Sequence, residues 1–443
     1  MSLNAEYEKK LVTPEQAVRV VKSGDWVDYG AFAGQVVALD KALAARKEEL
    51  HDVKIRTVTS LRMPEVVKAD PEAKHFTFNN WHFSGIDRKL HDQGACWYIP
   101  MLYHELPGMY RRFLDVDVAM IPVTPIDEHG YFNFGPQVSH THAICEKAKI
   151  VILEVNHSMP HCLGGREESI HISEVDYIVE ADWQLAQVPS SEPKEIEEKI
   201  ASFIMPELED GSCIQLGIGG MPNAMGKMIA QSDLKDLGLH TEMFTESMVE
   251  MVESGRVTGA KKTLDKYKVT YTFGFGTQKT YDFLNNNPMC AAYPVDYVND
   301  PFIIAQNDKV VSINNCIEID LTGQVCSESS GTRQISGTGG QFDFAFGSYH
   351  SKGGKSFMAM ESTFHKKGEL HSRINPIITP GGVVTTPRAL VEYMVTEYGI
   401  VNLKGKSTWE RAEALISIAH PDFREELIKE AEKIGIWRNS NKR

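Results

Sequence analysis

Short β-branched apolar runs alternate with helix-period segments along most of this chain. The runs VDVAMIPV (116–123), KIVILEV (149–155), SCIQLGI (212–218), KVVSINN (309–315) and KSFMAME (355–361) read as buried strands. Helical patterns lie between and around them. TPEQAVRVVKSG (13–24) opens with Thr13 as N-cap and Pro14 in the first turn, and closes at Gly24. HPDFREELIKEAEKIGIW (420–437) starts at a Pro–Asp pair, and its Glu425 and Lys429 form a favourable i,i+4 pair. Such alternation predicts an α/β architecture.

The same pattern occurs twice. GDWVDYGAFAGQVVALDKALA from Gly24 echoes GSCIQLGIGGMPNAMGKMIA from Gly211: a strand, a second glycine (Gly30 or Gly217), a small-residue turn and a helix. VAMIPVTPIDEHGYF (118–132) echoes VVSINNCIEIDLTGQV (310–325) in the same order. Two echoes in one order predict two similar open α/β domains, 1–190 and 191–443, with the acidic SSEPKEIEEKIA (190–201) as link and first helix of the second half.

A length of 443 residues suits two domains, and 42% hydrophobic with 24% charged residues is ordinary for a globular protein. No stretch approaches the roughly 18 apolar residues of a membrane span. The N-terminal MSLNAEYEKKL lacks the apolar core of a secretory signal, so a cytoplasmic protein is expected. Seven scattered cysteines, none spaced CxxC, argue against a disulfide framework or a structural zinc cluster. A net charge of -14 disfavours nucleic acid and anionic membranes as partners. It leaves room for a small anionic ligand received by local cations or backbone N–H groups.

Two glycine-rich turns, LGIGGMPNA (216–224) and ISGTGGQFDF (335–344), are where backbone N–H groups meet anions. Neither is a dinucleotide fingerprint, because Pro222 and Phe342 stand where GxGxxG needs its last glycine, and GGKS (353–356) fails as a P-loop at Tyr349. Either turn alone is as easily a plain tight turn; both in one half favour an oxyanion or phosphate cradle. The histidines of SHTHAIC (139–145) and HSMPHC (157–162) lack a full ligand set, so partly buried, satisfied polar residues are expected there and no metal. No GxSxG elbow occurs and no cysteine stands out as a nucleophile. Glu242, in LHTEMF, is framed by residues that normally go inside; a desolvated carboxylate is a stronger nucleophile, although most glutamates do no chemistry.

IQLGIGGMPNA, LHTEMF, RQISGTGGQFDF and the long VTEYGIVNLKGKSTWERAEALISIAHPDFREEL together resemble the acetyl-CoA hydrolase/transferase family of coenzyme A transferases, from end to end. DEHGYFNFG (127–135), EVNHSMPHCLGG (154–165) and IWRNSN (436–441) are similar to its butyryl-CoA:acetate branch. The resemblance implies the CoA-transferase fold with an active site between the domains. It implies ping-pong transfer of CoA between butyryl-CoA and acetate, through an acyl-glutamyl anhydride and a glutamyl-CoA thioester on Glu242 of the C-terminal domain. The implied oxyanion donors are the backbone N–H groups of Ile218 and Gly340. The CoA-binding positions implied are Gln215, Leu216, Gly217, Ile218, Gly219, Asn314, Ile317 and Gly340, with Glu397 as a second carboxylate. Where close relatives carry a CoA-contacting lysine, this chain has His365 followed by Lys366, so either residue is the expected contact. Partners implied are acyl-CoA and short-chain carboxylates, in a homo-oligomer, with no cofactor because coenzyme A is a substrate. 4-Hydroxybutyrate as acyl group, hydrolysis in place of transfer, and a non-catalytic acyl-CoA binding protein are the alternatives.

Overall fold

The structure, a computed structural model, describes residues 2–438, so 439–441 of the IWRNSN ending lie outside the described residues. The chain divides into two compact units. The first comprises the residues up to Pro189 with Thr241–Glu246 and Lys268–Asn299; the second comprises Ser190–His240, Ser247–Tyr267 and the residues from Asp300 onward.

The first unit is built on a seven-stranded sheet, parallel throughout. Its inner strands Trp26–Ala31, Val118–Val123 and Ile150–Val155 are buried almost residue for residue. Continuous apolar runs suit such strands because both faces are covered. The second unit has a six-stranded sheet, parallel except for its last pair, Tyr393–Thr396 with Gly399–Asn402. It contains the expected strands Cys213–Leu216, Val310–Asn315 and Lys355–Ala359.

Both echoes have structural counterparts. Trp26–Ala31 pairs in parallel with Val118–Val123, and Cys213–Leu216 pairs in parallel with Val310–Asn315. Each leading strand runs through a small-residue turn into a helix, Ala38–Ala45 or Gly220–Gln231. In the first turn a Cβ on Gly30 would fall 1.8 Å from the Gly34 carbonyl oxygen, so the chain doubles back tightly only with glycine there.

Two expectations differ from the structure. The helix expected over 13–24 is the short turn Pro14–Ala17, with a complete capping box between Thr13 and Gln16, continued by a 3₁₀ turn Val18–Val20. The β-branched Val18, Val20 and Val21 do not sustain it further. Nor does a single division at residue 190 describe the units, because Glu242 lies in the first one. The cause is local pairing: Met243–Phe244 forms a parallel pair with Phe273–Gly274, and Met243, Phe273, Phe275, Tyr281 and Val295 join one core with Phe32, Phe132 and Phe134.

Candidate active site

Glu242 sits just before the strand Met243–Phe244, and its carbonyl accepts from the N–H groups of Thr272 at 3.0 Å and Phe273 at 3.2 Å. Its side chain is half-buried, and Oε2 accepts from Asn299 Nδ2 at 2.7 Å. Asn299 is fully buried and is the C-cap of the helix Val295–Val298. Glu242 is therefore no solvated strand-edge carboxylate. One oxygen is fixed by a neutral amide donor, and its apolar neighbours Met243 and Phe244 are buried.

The strand paired with Met243–Phe244 carries Phe273, the centre of an aromatic cluster in the first unit. The Phe32 ring stacks on Phe273 at a centroid distance of 3.6 Å, and Phe275 follows at 6.0 Å from Phe273. Phe32 holds φ 54°, a strained conformation for a bulky residue, in the tight turn between Gly30 and Gly34. Tyr103 lies against Phe273 at 6.3 Å, and its hydroxyl is raised well above the usual phenol range by burial and by the Glu242 charge.

The glycine turns belong to the second unit. After the strand Cys213–Leu216, which holds Gln215 and Leu216 in the sheet, the chain turns through Gly217, Ile218 and Gly219. Gly219, at φ 109°, is the N-cap of the twelve-residue helix Gly220–Gln231. Ile218 is 55% exposed, unusual for isoleucine, because its main chain rather than its side chain is fixed: its carbonyl accepts from Asn315 Nδ2 at 2.9 Å. Gln215 and Asn314 exchange amide hydrogen bonds of 3.2 and 3.1 Å beneath the turn. Gly340 caps the helix Gln341–His350. Gln341 Nε2 donates to the Asn315 carbonyl at 2.7 Å, so Asn315 ties the two glycine turns together. Both turns thus present free helix-start N–H groups, which accept anionic oxygen readily.

Ile317 reaches the same region through its carbonyl, which accepts from Arg373 Nη1 at 3.1 Å. Arg373 also covers the Phe364 ring at 5.1 Å, at the base of the hairpin Thr363–Lys366 with Glu369–Ser372. His365 and Lys366 stand exposed on that hairpin. A cleft of ≈ 190 Å³ beside the first turn is lined by Glu197, Met221, Asn315, Cys316, Glu361 and Arg373. Burial pushes the Cys316 thiol there up to about 12, which keeps it protonated and a poor nucleophile. Glu397 is buried, and its carboxylate accepts from Ser362 N–H at 2.8 Å and Ser362 Oγ at 2.5 Å. Arg411 and Lys404, its conceivable surface partners, donate instead to main-chain carbonyls.

Gln215 to Gly219, Asn314, Ile317, Gly340, His365, Lys366 and Glu397 thus fall in the second unit, and Glu242 falls in the first. Asn299 beside Glu242 in the first unit, and Asn315 and Gln341 beside the glycine turns in the second, are polar groups that sequence reading did not single out. Asn315 had a usable signal, two adjacent asparagines ending a buried strand; Asn299 had none. In the histidine-rich stretches, buried His140 bonds Ser139, His157 pairs with Asp182 at 2.9 Å and His161 meets Asn286 at 2.8 Å.

Two models of one family match most of the chain. The acetyl-CoA hydrolase/transferase N-terminal domain matches residues 1–189, and the C-terminal domain of the same family matches 276–431. The chain is 53% identical to the butyryl-CoA:acetate CoA-transferase of Anaerostipes caccae, covering 100% of both chains. It is 54% identical to a probable butyrate:acetyl-CoA coenzyme A-transferase of Syntrophomonas wolfei, over 99% of this chain and 98% of the other. Among solved structures, RipA from Yersinia pestis superposes with a TM-score of 0.90 at 38% identity, over 98% of this chain and 100% of that one. With both family models matched and these relatives aligned from end to end, the chain belongs to the acetyl-CoA hydrolase/transferase family and is a CoA-transferase.

Proposed function

We propose that this enzyme transfers coenzyme A between butyryl-CoA and acetate, with Glu242 as nucleophile. The observation that supports it most is a half-buried carboxylate, held at 2.7 Å by Asn299, at the glutamate of the LHTEMF motif in a chain 53% identical to a butyryl-CoA:acetate CoA-transferase. Glu242 attacks the thioester carbonyl of butyryl-CoA and expels CoA thiolate, leaving a butyryl-glutamyl anhydride. The thiolate then attacks the glutamyl carbonyl and butyrate departs, leaving a glutamyl-CoA thioester. Acetate repeats the sequence in reverse: it attacks the thioester, the thiolate returns to the acetyl carbonyl, and acetyl-CoA leaves with Glu242 restored. Splitting the exchange this way keeps the thioester energy at each stage and gives ping-pong kinetics.

Every tetrahedral intermediate places charge on oxygen, and the N–H groups of Ile218 and Gly340 are the donors that the family resemblance assigns to it. Arg373 and the exposed Lys366 suit the anionic CoA, which a protein of charge -14 would otherwise repel. The same reading includes a homo-oligomer in the cytoplasm, and the seven buried, unpaired cysteines are in keeping with a reducing compartment.

The test is intact mass after incubation with butyryl-CoA and borohydride. Reduction of a glutamyl-CoA thioester to the alcohol lowers the mass by about 14 Da, one oxygen exchanged for two hydrogens, and abolishes activity. Wild type is expected to shift, and Glu242→Ala to remain unshifted and inactive. Exchange that persists in Glu242→Ala would remove Glu242 from the mechanism.

A further inference from the structure

Both glycine turns are fastened through two side-chain amides, those of Asn315 and Gln341. Asn315 ends the strand Val310–Asn315, and its Nδ2 donates to the Ile218 carbonyl at 2.9 Å. One residue earlier in that turn, Gly217 N–H donates to the Ile313 carbonyl of the same strand at 3.0 Å. The peptide that carries the Ile218 N–H therefore lies between two hydrogen bonds to one strand. The second turn is fastened at both ends to Ser327. Ser336 Oγ donates to the Ser327 carbonyl at 2.9 Å, and Ser327 Oγ donates to Gln341 Oε1 at 2.7 Å. Thr386 Oγ1 donates to the same amide oxygen at 3.1 Å. Gln341 is 9% exposed, and its Nε2 donates to the Asn315 carbonyl at 2.7 Å. That carbonyl can only accept, so a reversed amide would set oxygen against oxygen. Two amide donations thus join Gln341, the residue after Gly340, to Ile218 by way of Asn315, wholly within the second unit.

We infer that Asn315 and Gln341 are positioning residues that set the separation of the two oxyanion donors, the N–H groups of Ile218 and Gly340. The inference rests on the reading of those N–H groups as donors. Neither amide has to touch the substrate. An oxyanion hole works because its donors are already aimed when charge develops on oxygen. Donors that drift apart therefore cost transition-state stabilisation and leave substrate binding largely intact. Asn315 suits the role because its main chain is part of a sheet: the strand it ends is paired in parallel with Lys355–Ala359, Asn315 standing opposite Ala359. The strand end is the rigid member. From it the Asn315 side chain holds one turn, and the Asn315 carbonyl holds the other through Gln341.

The experiment measures kcat and KM for transfer from butyryl-CoA to acetate in wild type, Asn315→Ala, Gln341→Met, the double variant and Ile218→Pro. Gln341→Met keeps the length of the side chain without its polar atoms. Asn315→Ala, at an exposed residue, keeps the test decisive should the buried substitution fail to fold. Ile218→Pro has no N–H at that position, and the side chain it replaces is exposed, so no core packing is lost. Each single amide variant is expected to lower kcat on the order of 10- to 100-fold, with KM for butyryl-CoA held within about twofold. The double variant is expected to fall no further than the weaker single one, because either break releases the same link. Residues that only stabilise the fold would lower the melting temperature and leave kcat of the folded enzyme in place. A rise in KM without loss of kcat, or losses that multiply in the double variant, overturns the inference. Ile218→Pro is expected to lose on the order of 100-fold or more in kcat. That loss beside unaltered Asn315→Ala and Gln341→Met overturns the inference alone, whereas Ile218→Pro at wild-type kcat overturns the reading of the donors beneath it.

Discussion

Asp28 shows at a single residue how much the first unit depends on polar groups inside its core. It is 0% exposed on the strand Trp26–Ala31 and pairs with Arg56, itself 3% exposed, at 2.7 Å. Arg56 also lies over the Trp26 and Tyr110 rings at 4.5 and 5.2 Å. Asp28→Ala would leave a buried guanidinium without its counter-charge, and the expected loss is about 3–5 kcal/mol, read as a lower denaturant midpoint. An unchanged midpoint would mean that water reaches the guanidinium and replaces the carboxylate. At this scale the sequence displayed some of the chemistry and hid the rest. Glu242 stood out against its apolar neighbours and was assigned by family resemblance. Asn299 was invisible, because folding brings it to Glu242 from 57 residues away in the chain and it has no distinctive local context.

Helix starts show how elements are tied to carboxylates elsewhere in the chain. The short helix Glu65–Ala69 has no cap of its own; Asp40 supplies one from the helix Ala38–Ala45, accepting from the N–H groups of Glu65 at 2.6 Å and Val66 at 3.3 Å. Burial nevertheless dominates and pushes the Asp40 carboxyl up to about 6 from 3.8. The folded state then binds the proton more tightly than the unfolded chain, so the Asp40 contribution to stability falls as pH rises from about 4 to 6, by about 3 kcal/mol in all. Relative to Asp40→Asn, wild type should lose stability across that window and no further above it, as followed by thermal melting at each pH. A constant difference between the two proteins would show that Asp40 titrates normally. Strands were more legible than helices for a physical reason: parallel strands covered on both faces are uninterrupted apolar runs, whereas caps such as Asp40 lie outside the helix they serve. The segment over 13–24 misled because its capping signals were real while its valines favoured a different continuation.

For the molecule as a whole, the duplicated strand–turn–helix pattern could be read from the sequence, but the division into units could not. Sequence neighbours suggest one boundary, while the core is settled by which apolar faces pack together, and that drew Thr241–Glu246 and Lys268–Asn299 into the first unit. A fragment of residues 1–189, although it matches a family domain model in full, lacks Phe273 against Phe32 and lacks Met243, Phe275, Tyr281 and Val295 from the same cluster. Such a fragment should bind ANS and melt without a cooperative transition. Sharp, ANS-silent unfolding of 1–189 would show that the remaining core suffices.

The return of the chain to its first unit also sets a schedule for synthesis. When Pro189 has been joined, that unit still awaits strands and two helices, in segments that end at Asn299, 110 residues later. At about 5–20 residues per second the ribosome needs several seconds to deliver them. During that interval the Phe32 face has no Phe273 to stack on, and the sheet already translated displays an apolar surface that a holdase chaperone would recognise. The nascent enzyme is thus most exposed to aggregation midway through translation, before the glutamate-bearing core can close.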